Sequence, residues 1–237
     1  MDELLANEGE LNWRVRAMGN TGMAEKKVGA SDYLSLALYA FAGFGLEVVL
    51  LMVLPLILGV KSSEYTLLHQ CIHWGITCLL WGSMALFLIR LSKRKYDFDM
   101  MKLNAEPKAR GWLLAIVVSV IAIAATTIVW EGFKPVQEYK DAVRFVFQNV
   151  YYLFEAALIL LTIAFGQKFG ETLFKRDGLP YGGMFLALTW GLIHILLQGG
   201  ATGIYAFFMS ILYGTIYIML RKNVRYSYVL IAVVFIL

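Results

Sequence analysis

The stretch that decides the fold covers residues 144–198, RFVFQNVYYLFEAALILLTIAFGQKFGETLFKRDGLPYGGMFLALTWGLIHILLQ. It consists of two apolar segments joined by a short charged connection, KFGETLFKRDG, at 168–178. The first segment carries one carboxylate, Glu155, and the second carries one imidazole, His194. An ionisable side chain at membrane depth costs several kcal/mol unless it has a partner, so each residue is a candidate for a functional site.

The spacing of these two residues predicts that they meet. The midpoint between positions 155 and 194 falls near residue 175, inside the charged connection. An antiparallel helical hairpin folded there places Glu155 and His194 at similar depth, facing each other across one interface. Counted from the outer ends of the apolar segments, His194 lies about two turns shallower than Glu155, a gap that a longer first helix or a tilt would close.

Composition assigns the chain to the polytopic membrane proteins and excludes a soluble domain. Of its 237 residues 59% are hydrophobic and 16% charged, and the mean hydropathy is +0.66. The net charge of +4 does not indicate nucleic-acid binding, because the basic residues lie in short loops between apolar runs. Cys71 and Cys78 share one apolar segment and are too far apart to bond within a regular helix, so we expect free thiols.

Six apolar segments have the length that a membrane crossing needs, and a seventh is shorter. The last has twelve residues and crosses only if its helix begins within the RKNVR loop at 221–225. We therefore expect an all-α transmembrane bundle over 33–237, preceded by a cytosolic N-terminal tail over 1–32. The expected spans are 33–60, 66–91, 111–130, 142–165 with a helical continuation to about 174, 180–197, 204–220 and the short 226–237.

The distribution of basic residues predicts the orientation. Of 21 lysines and arginines, 17 lie in the tail and in the connections after the second, fourth and sixth spans. Basic loops stay on the cytoplasmic side, so the N-terminus is expected to be cytoplasmic. The chain is expected in a cell membrane, of the bacterial plasma-membrane type, with the lipid bilayer as its surroundings.

Further polar residues lie in the outer half of the spans. His69 and His73 have the i, i+4 spacing at which two imidazoles hold one metal ion, although histidines at this depth also simply face water or lipid headgroups. Glu47 is either a structural partner for a polar residue on another helix or a site residue. Tyr151 is placed to donate a hydrogen bond to Glu155 at i+4. Glu155 with His194 is either a functional site, intact or degenerate, or a structural hydrogen-bonded pair.

Two short motifs resemble a known family. Trp190 and His194 in TWGLIH match the FxxxH motif of the CPBP intramembrane metalloproteases, with tryptophan as the aromatic residue. That family includes the type-II CAAX prenyl endopeptidases and the bacteriocin self-immunity (Abi) proteins. Glu155 in LFEAALIL stands where the family's EExxxR motif supplies a glutamate. The resemblance covers residues 147–237, including the glycine-containing turn and the apolar helix after it.

The resemblance implies a site that differs from the family pattern. It implies Glu155 and His194 as catalytic residues around a zinc-bound water, with His69 and His73 as the only other histidines that can serve as ligands. The second glutamate of the first motif is absent, Leu160 replaces its arginine, and the last helix has neither histidine nor asparagine for the family's HxxxN/D motif.

Three functions are compatible with this pattern. The first is a non-catalytic or highly divergent CPBP-like protein that acts in a membrane complex, with a membrane-protein partner, or as an immunity or processing factor. The second is an active intramembrane metal-dependent peptidase that uses Glu155 and His194 on a peptide substrate. The third is a small-solute transporter, which the intramembrane acids favour and the absence of an inverted repeat disfavours.

Overall fold

The computed structural model describes residues 28–103 and 105–237. Within these ranges the secondary structure is helical, without strands, as the sequence predicts. Most of the expected cytosolic tail, residues 1–27, lies outside the described residues. The helices are α1 Ala30–Leu58, α2 Leu67–Tyr96, α3 Ala109–Val129, α4 Lys134–Glu138, α5 Ala142–Phe174, α6 Tyr181–Gln198, α7 Gly200–Met219 and α8 Val224–Ile236.

Six of these helices, α1, α2, α3, α5, α6 and α7, are long and apolar enough to cross a membrane. Helix α8 is apolar but shorter. This confirms the expected six spans and a short seventh, and the protein is a multi-pass membrane protein. The helical continuation of the fourth span is also confirmed, since α5 ends at Phe174. Helix α8 begins at Val224, inside the RKNVR loop. This start is the one that the last apolar segment needs for a longer helix.

Helix α5 lies at the centre of the bundle. In its most apolar window 61% of the residues are buried inside the protein, against 17% in α1 and 22% in α3. The run LILLTIAF is apolar on every side, which is typical of a helix surrounded by other helices. Helices α1, α2, α6 and α8 all pack against α5. Side chains on α5 are therefore positioned by four neighbours.

Glycines let α6 approach its neighbours closely. A methyl group added at Gly182 would meet the carbonyl oxygen of Ile163 on α5. One added at Gly183 would lie 2.9 Å from the Cα atom of Gly214 on α7. Small residues at such positions allow backbone contact between membrane helices, where van der Waals packing replaces the hydrophobic effect. Helix α6 is consequently fixed between α5 and α7.

Both ends of the short helix α8 find hydrogen-bond partners within this chain. The Asn223 side-chain oxygen accepts hydrogen bonds from the backbone N–H groups of Arg225 and Tyr226, at 3.1 and 3.2 Å. At the other end, the Lys134 ammonium donates to the Phe235 carbonyl at 2.7 Å. Helix ends that enter a bilayer need such partners.

Candidate functional site

The Glu155 carboxylate is buried where α1, α4 and α6 come near the middle of α5. Its side chain is 9% exposed. The indole of Trp190 faces it, and the charges of Lys134 and Glu47 lie close enough to act on it. Lys134 contributes the opposite charge and Glu47 the same charge. The sequence predicts that Glu155 needs a partner, and the structure provides a lysine and an indole for this role.

His194 is held by the tryptophan of the same motif. Its Nδ1 lies 2.7 Å from the Trp190 carbonyl oxygen, and the centroids of the two rings are 4.1 Å apart. Among residues 28–103 and 105–237, Glu155 and His194 form no ion pair within 4.0 Å. Their expected direct contact is therefore not observed, and Trp190 is the residue that lies beside both.

Trp190 lies in an unusual stretch of α6. Residues Ala187–Gly191 form a π-helical turn between two α-helical parts, Tyr181–Leu186 and Leu192–Gln198. Such turns contain an extra residue and are frequently found at functional sites. The extra residue changes the angular positions about the helix axis of the side chains before it relative to those after it. The spacing of TWGLIH therefore does not have regular α-helical geometry.

A second polar cluster joins Glu47 on α1, His73 on α2 and Tyr151 on α5. One Glu47 oxygen lies 3.1 Å from His73 Nε2, and the other accepts a hydrogen bond from the Tyr151 hydroxyl at 2.9 Å. The expectation that Tyr151 donates to Glu155 is wrong. The Tyr151 ring packs on Trp81 of α2 at 4.9 Å, which directs its hydroxyl toward α1. Glu47 thus has polar partners on two other helices, as the structural alternative predicts, and its role as a site residue stays a prediction.

His69 and His73 have different partners. The Nδ1 of His69 accepts from the Thr66 backbone N–H at 3.4 Å, so this imidazole caps the start of its own helix. His73 is instead paired with Glu47. In the described part of the chain no three His, Cys, Asp or Glu side chains lie together in a group that could hold a metal ion. Zinc sites in proteins have at least three protein ligands, and zinc at Glu155, His194, His69 and His73 stays a prediction.

Protein-family models, curated proteins and solved structures give no match to this chain. The CPBP resemblance therefore rests on the two sequence motifs and stays a prediction.

The sequence does not reveal Lys134 as a residue of the site. Its side chain is 6% exposed, although the sequence predicts an outer loop. The ammonium lies 4.4 Å from the centre of the Tyr152 ring, and the Tyr152 hydroxyl donates to Glu138 at 2.7 Å. Burial lowers the pKa of Lys134, while the nearby charges of Glu138 and Glu155 act to raise it. The sequence signs of this helix are the i, i+4 spacing of Lys134 and Glu138 and the proline, Pro135, in its first turn.

Proposed function

We propose that this chain is a non-catalytic or highly divergent CPBP-like protein, which acts by binding within a membrane complex or as an immunity or processing factor. The main support is the position of Trp190. Its backbone and ring hold His194, and its indole faces Glu155. A catalytic zinc site needs ligands directed at a common point and one open coordination position. Here His194 Nδ1 is directed at the Trp190 carbonyl oxygen, and the Trp190 indole lies beside Glu155.

The second polar cluster supports the same proposal. His73, one of the two other histidines that the resemblance makes available, is paired with Glu47. Its release would leave a carboxylate without its partner inside the bundle. Breaking such a pair costs about 3–5 kcal/mol when the pair is fully buried, and less here because Glu47 is partly exposed. A metal site that uses His73 must compensate for this cost.

The peptidase remains the second candidate because of the π-helical turn. Ala187–Gly191 places an irregular helix next to Glu155, and such turns are common where a side chain must face a reacting group. Trp190 lies in this turn, beside both the carboxylate and the imidazole. Metal content and assembly state distinguish the two candidates.

The test combines metal analysis with a mass measurement. The full chain is extracted from its native membrane in a mild detergent, and zinc per chain and total protein mass are measured together. The proposal predicts less than about 0.1 zinc per chain and a mass above that of the single chain. Glu155→Gln and His194→Ala are expected to leave both values unchanged.

The control is Lys61→Met, which changes an exposed side chain that is not among the candidate zinc ligands. About one zinc per chain, lost in Glu155→Gln and His194→Ala and kept in the control, would overturn the proposal in favour of the peptidase. A single chain without metal would also contradict the part of the proposal that places it in a complex.

A further inference from the structure

A cavity of about 500 Å³ opens at the end of the bundle where α5 begins. It lies between α1, α2, α4 and the first turns of α5, on the side that the basic residues predict to be outside. A volume of this size is within the range of small-molecule sites. Its lining combines aromatic rings with polar and charged groups, including His73, Trp74, Trp130, Glu138, Lys140 and Arg144.

Unsatisfied polar atoms are concentrated on the residues that line this cavity. In the part of the chain that the structure describes, five buried side-chain nitrogen or oxygen atoms have no hydrogen-bond partner. Three of them belong to lining residues: Tyr65 Oη, His73 Nδ1 and Arg144 Nε. The His73 side chain is more than nine-tenths buried, with 9% exposure. Buried polar atoms without partners are rare in folded proteins, and a bound ligand is one explanation for them.

The chemistry of the three atoms restricts what they can bind. Arg144 Nε is a donor, and Tyr65 Oη donates or accepts. The Nε2 of His73 faces the Glu47 carboxylate and so carries a proton. Its Nδ1 then accepts from a hydroxyl when the ring is neutral and donates to an anion when the ring is charged. A ligand with both an anionic oxygen and a hydroxyl satisfies all three atoms.

Charge in the cavity favours an anion. The carboxylate of Glu138 already accepts from Tyr152 and lies near the Lys134 ammonium. Lys140 is exposed and forms no ion pair within 4.0 Å with an acidic residue of 28–103 or 105–237. Arg144 has only the 3.6 Å contact of its Nε with Asp141. Lys140 is therefore free to bind an anionic oxygen, whereas Arg144 would share its guanidinium with Asp141.

We propose that this cavity binds a phosphate ester, with the phosphate against Lys140 and Arg144 and a hydroxyl-bearing group reaching toward His73. The guanidinium and ammonium groups are standard donors to phosphate oxygens. Trp74 and Trp130 supply the flat apolar walls for the rest of the molecule. A phospholipid headgroup with a hydroxyl and a free glycerol phosphate share this chemistry. The site is separate from Glu155 and His194 and does not depend on the proposed function.

The test measures binding of two probes to the full chain by native mass spectrometry. One probe is soluble glycerol 3-phosphate, and the other is a short-chain phosphatidylglycerol. The double variant Lys140→Gln with Arg144→Gln is expected to raise the dissociation constant of the bound probe about tenfold or more, because two charge-assisted contacts are lost. The matched control removes two exposed arginines from α2, Arg90→Gln with Arg94→Gln, and is expected to change it less than about twofold.

The two probes identify the source of the ligand. Binding of the lipid alone assigns the site to headgroups, and binding of the soluble ester assigns it to free phosphate esters; both support the proposal when the double variant loses them. Failure of both probes to bind at about millimolar concentration overturns it. Equal losses in the double variant and the control, or no loss in either, overturn it as well. Lys140→Gln alone, at an exposed position, provides the same comparison if the double variant does not fold.

Discussion

Lys134→Met is the change that tests the buried charges around α5 most directly. The ammonium of Lys134 contacts the Phe235 carbonyl at 2.7 Å and lies over the Tyr152 ring at 4.4 Å. It also provides the positive charge nearest to the buried Glu155. Methionine has a similar length but neither charge nor donor, so the variant removes all three interactions and keeps most of the packing.

Lys134→Met is expected to lower the free energy of unfolding by about 2 kcal/mol. A hydrogen bond from a charged group contributes about 1.5–3 kcal/mol, and the cation and ring contact adds about 0.5–2 kcal/mol. The ammonium no longer has to be desolvated in the variant, which offsets part of this sum. Glu155 is left without its cation, so Glu155→Gln should cost less in the variant than in the wild type. We expect a coupling energy of about 1 kcal/mol or more between the two positions.

The assay is reversible unfolding in mixed micelles, applied to the wild type, both single variants and the double variant. Lys61→Met is the control, because Lys61 is an exposed lysine on the same side of the bundle, and its effect is expected within about 0.5 kcal/mol. Strict additivity of the two single variants would refute the electrostatic link between Lys134 and Glu155. A Lys134→Met effect equal to that of the control would refute the role of the ammonium altogether.

The pH dependence of the difference in unfolding free energy between the wild type and Lys134→Met provides an independent check. Burial lowers the pKa of Lys134 below its ordinary value of 10.5, so the unfolded chain binds more protons than the folded one as the pH approaches 10.5. Stability rises with pH wherever the unfolded state binds more protons. The stability of the wild type relative to Lys134→Met is therefore expected to increase as the pH is raised to that value. A decrease in this relative stability would show that the surroundings of Lys134 favour the charged ammonium over the neutral amine.

Two further variants test the contacts that position the site. Tyr151→Phe removes only the hydroxyl that donates to Glu47 and should cost about 1–2 kcal/mol in the same unfolding assay, whereas Tyr39→Phe at a half-exposed position should cost almost nothing; equal effects would contradict the observed hydrogen bond. Gly182→Ala should cost about 1–3 kcal/mol because the new methyl group meets a carbonyl oxygen of α5. Gly45→Ala, where the methyl group meets no atom within 4 Å, should be neutral or stabilising, and a similar loss in both would argue against the close packing of α6 on α5.

The fold could be predicted from the sequence because its signals are local. Long apolar runs determine where the spans lie, and they need no knowledge of which helix contacts which. The observed bounds agree within a few residues for α1, α3 and α6. Helix α5 extends past its apolar run through GQKFGETLF, which has no helix breaker except two glycines. The apolar pattern underestimates such a helix, because its last turns contain the polar and charged residues Gln167, Lys168 and Glu171.

The contacts of the site could not be predicted, because they depend on tertiary packing. For Tyr151 the sequence offers an acceptor one turn away on the same helix, at Glu155. Instead, the packing of its ring on Trp81 directs the hydroxyl to Glu47 on another helix. For Glu155 the hairpin argument gives the correct neighbouring helix, α6. The π-helical turn at Ala187–Gly191 then places an indole at the carboxylate, and the sequence has no clear signal for such a turn.

Two consecutive tyrosines explain why the polar residues do not form a single site. Neighbouring residues on an α-helix point about 100° apart. Tyr151 accordingly joins the cluster of Glu47 and His73, while Tyr152 faces Glu138 and Lys134. The cluster of Glu47, His73 and Tyr151 lies toward α1 and α2. The contacts of Tyr152 lie toward α4 and α8. His73 belongs to the cluster of Glu47, whereas His194 on α6 is held by Trp190. The separation of the clusters therefore explains why three histidines and two intramembrane glutamates do not converge on a common point.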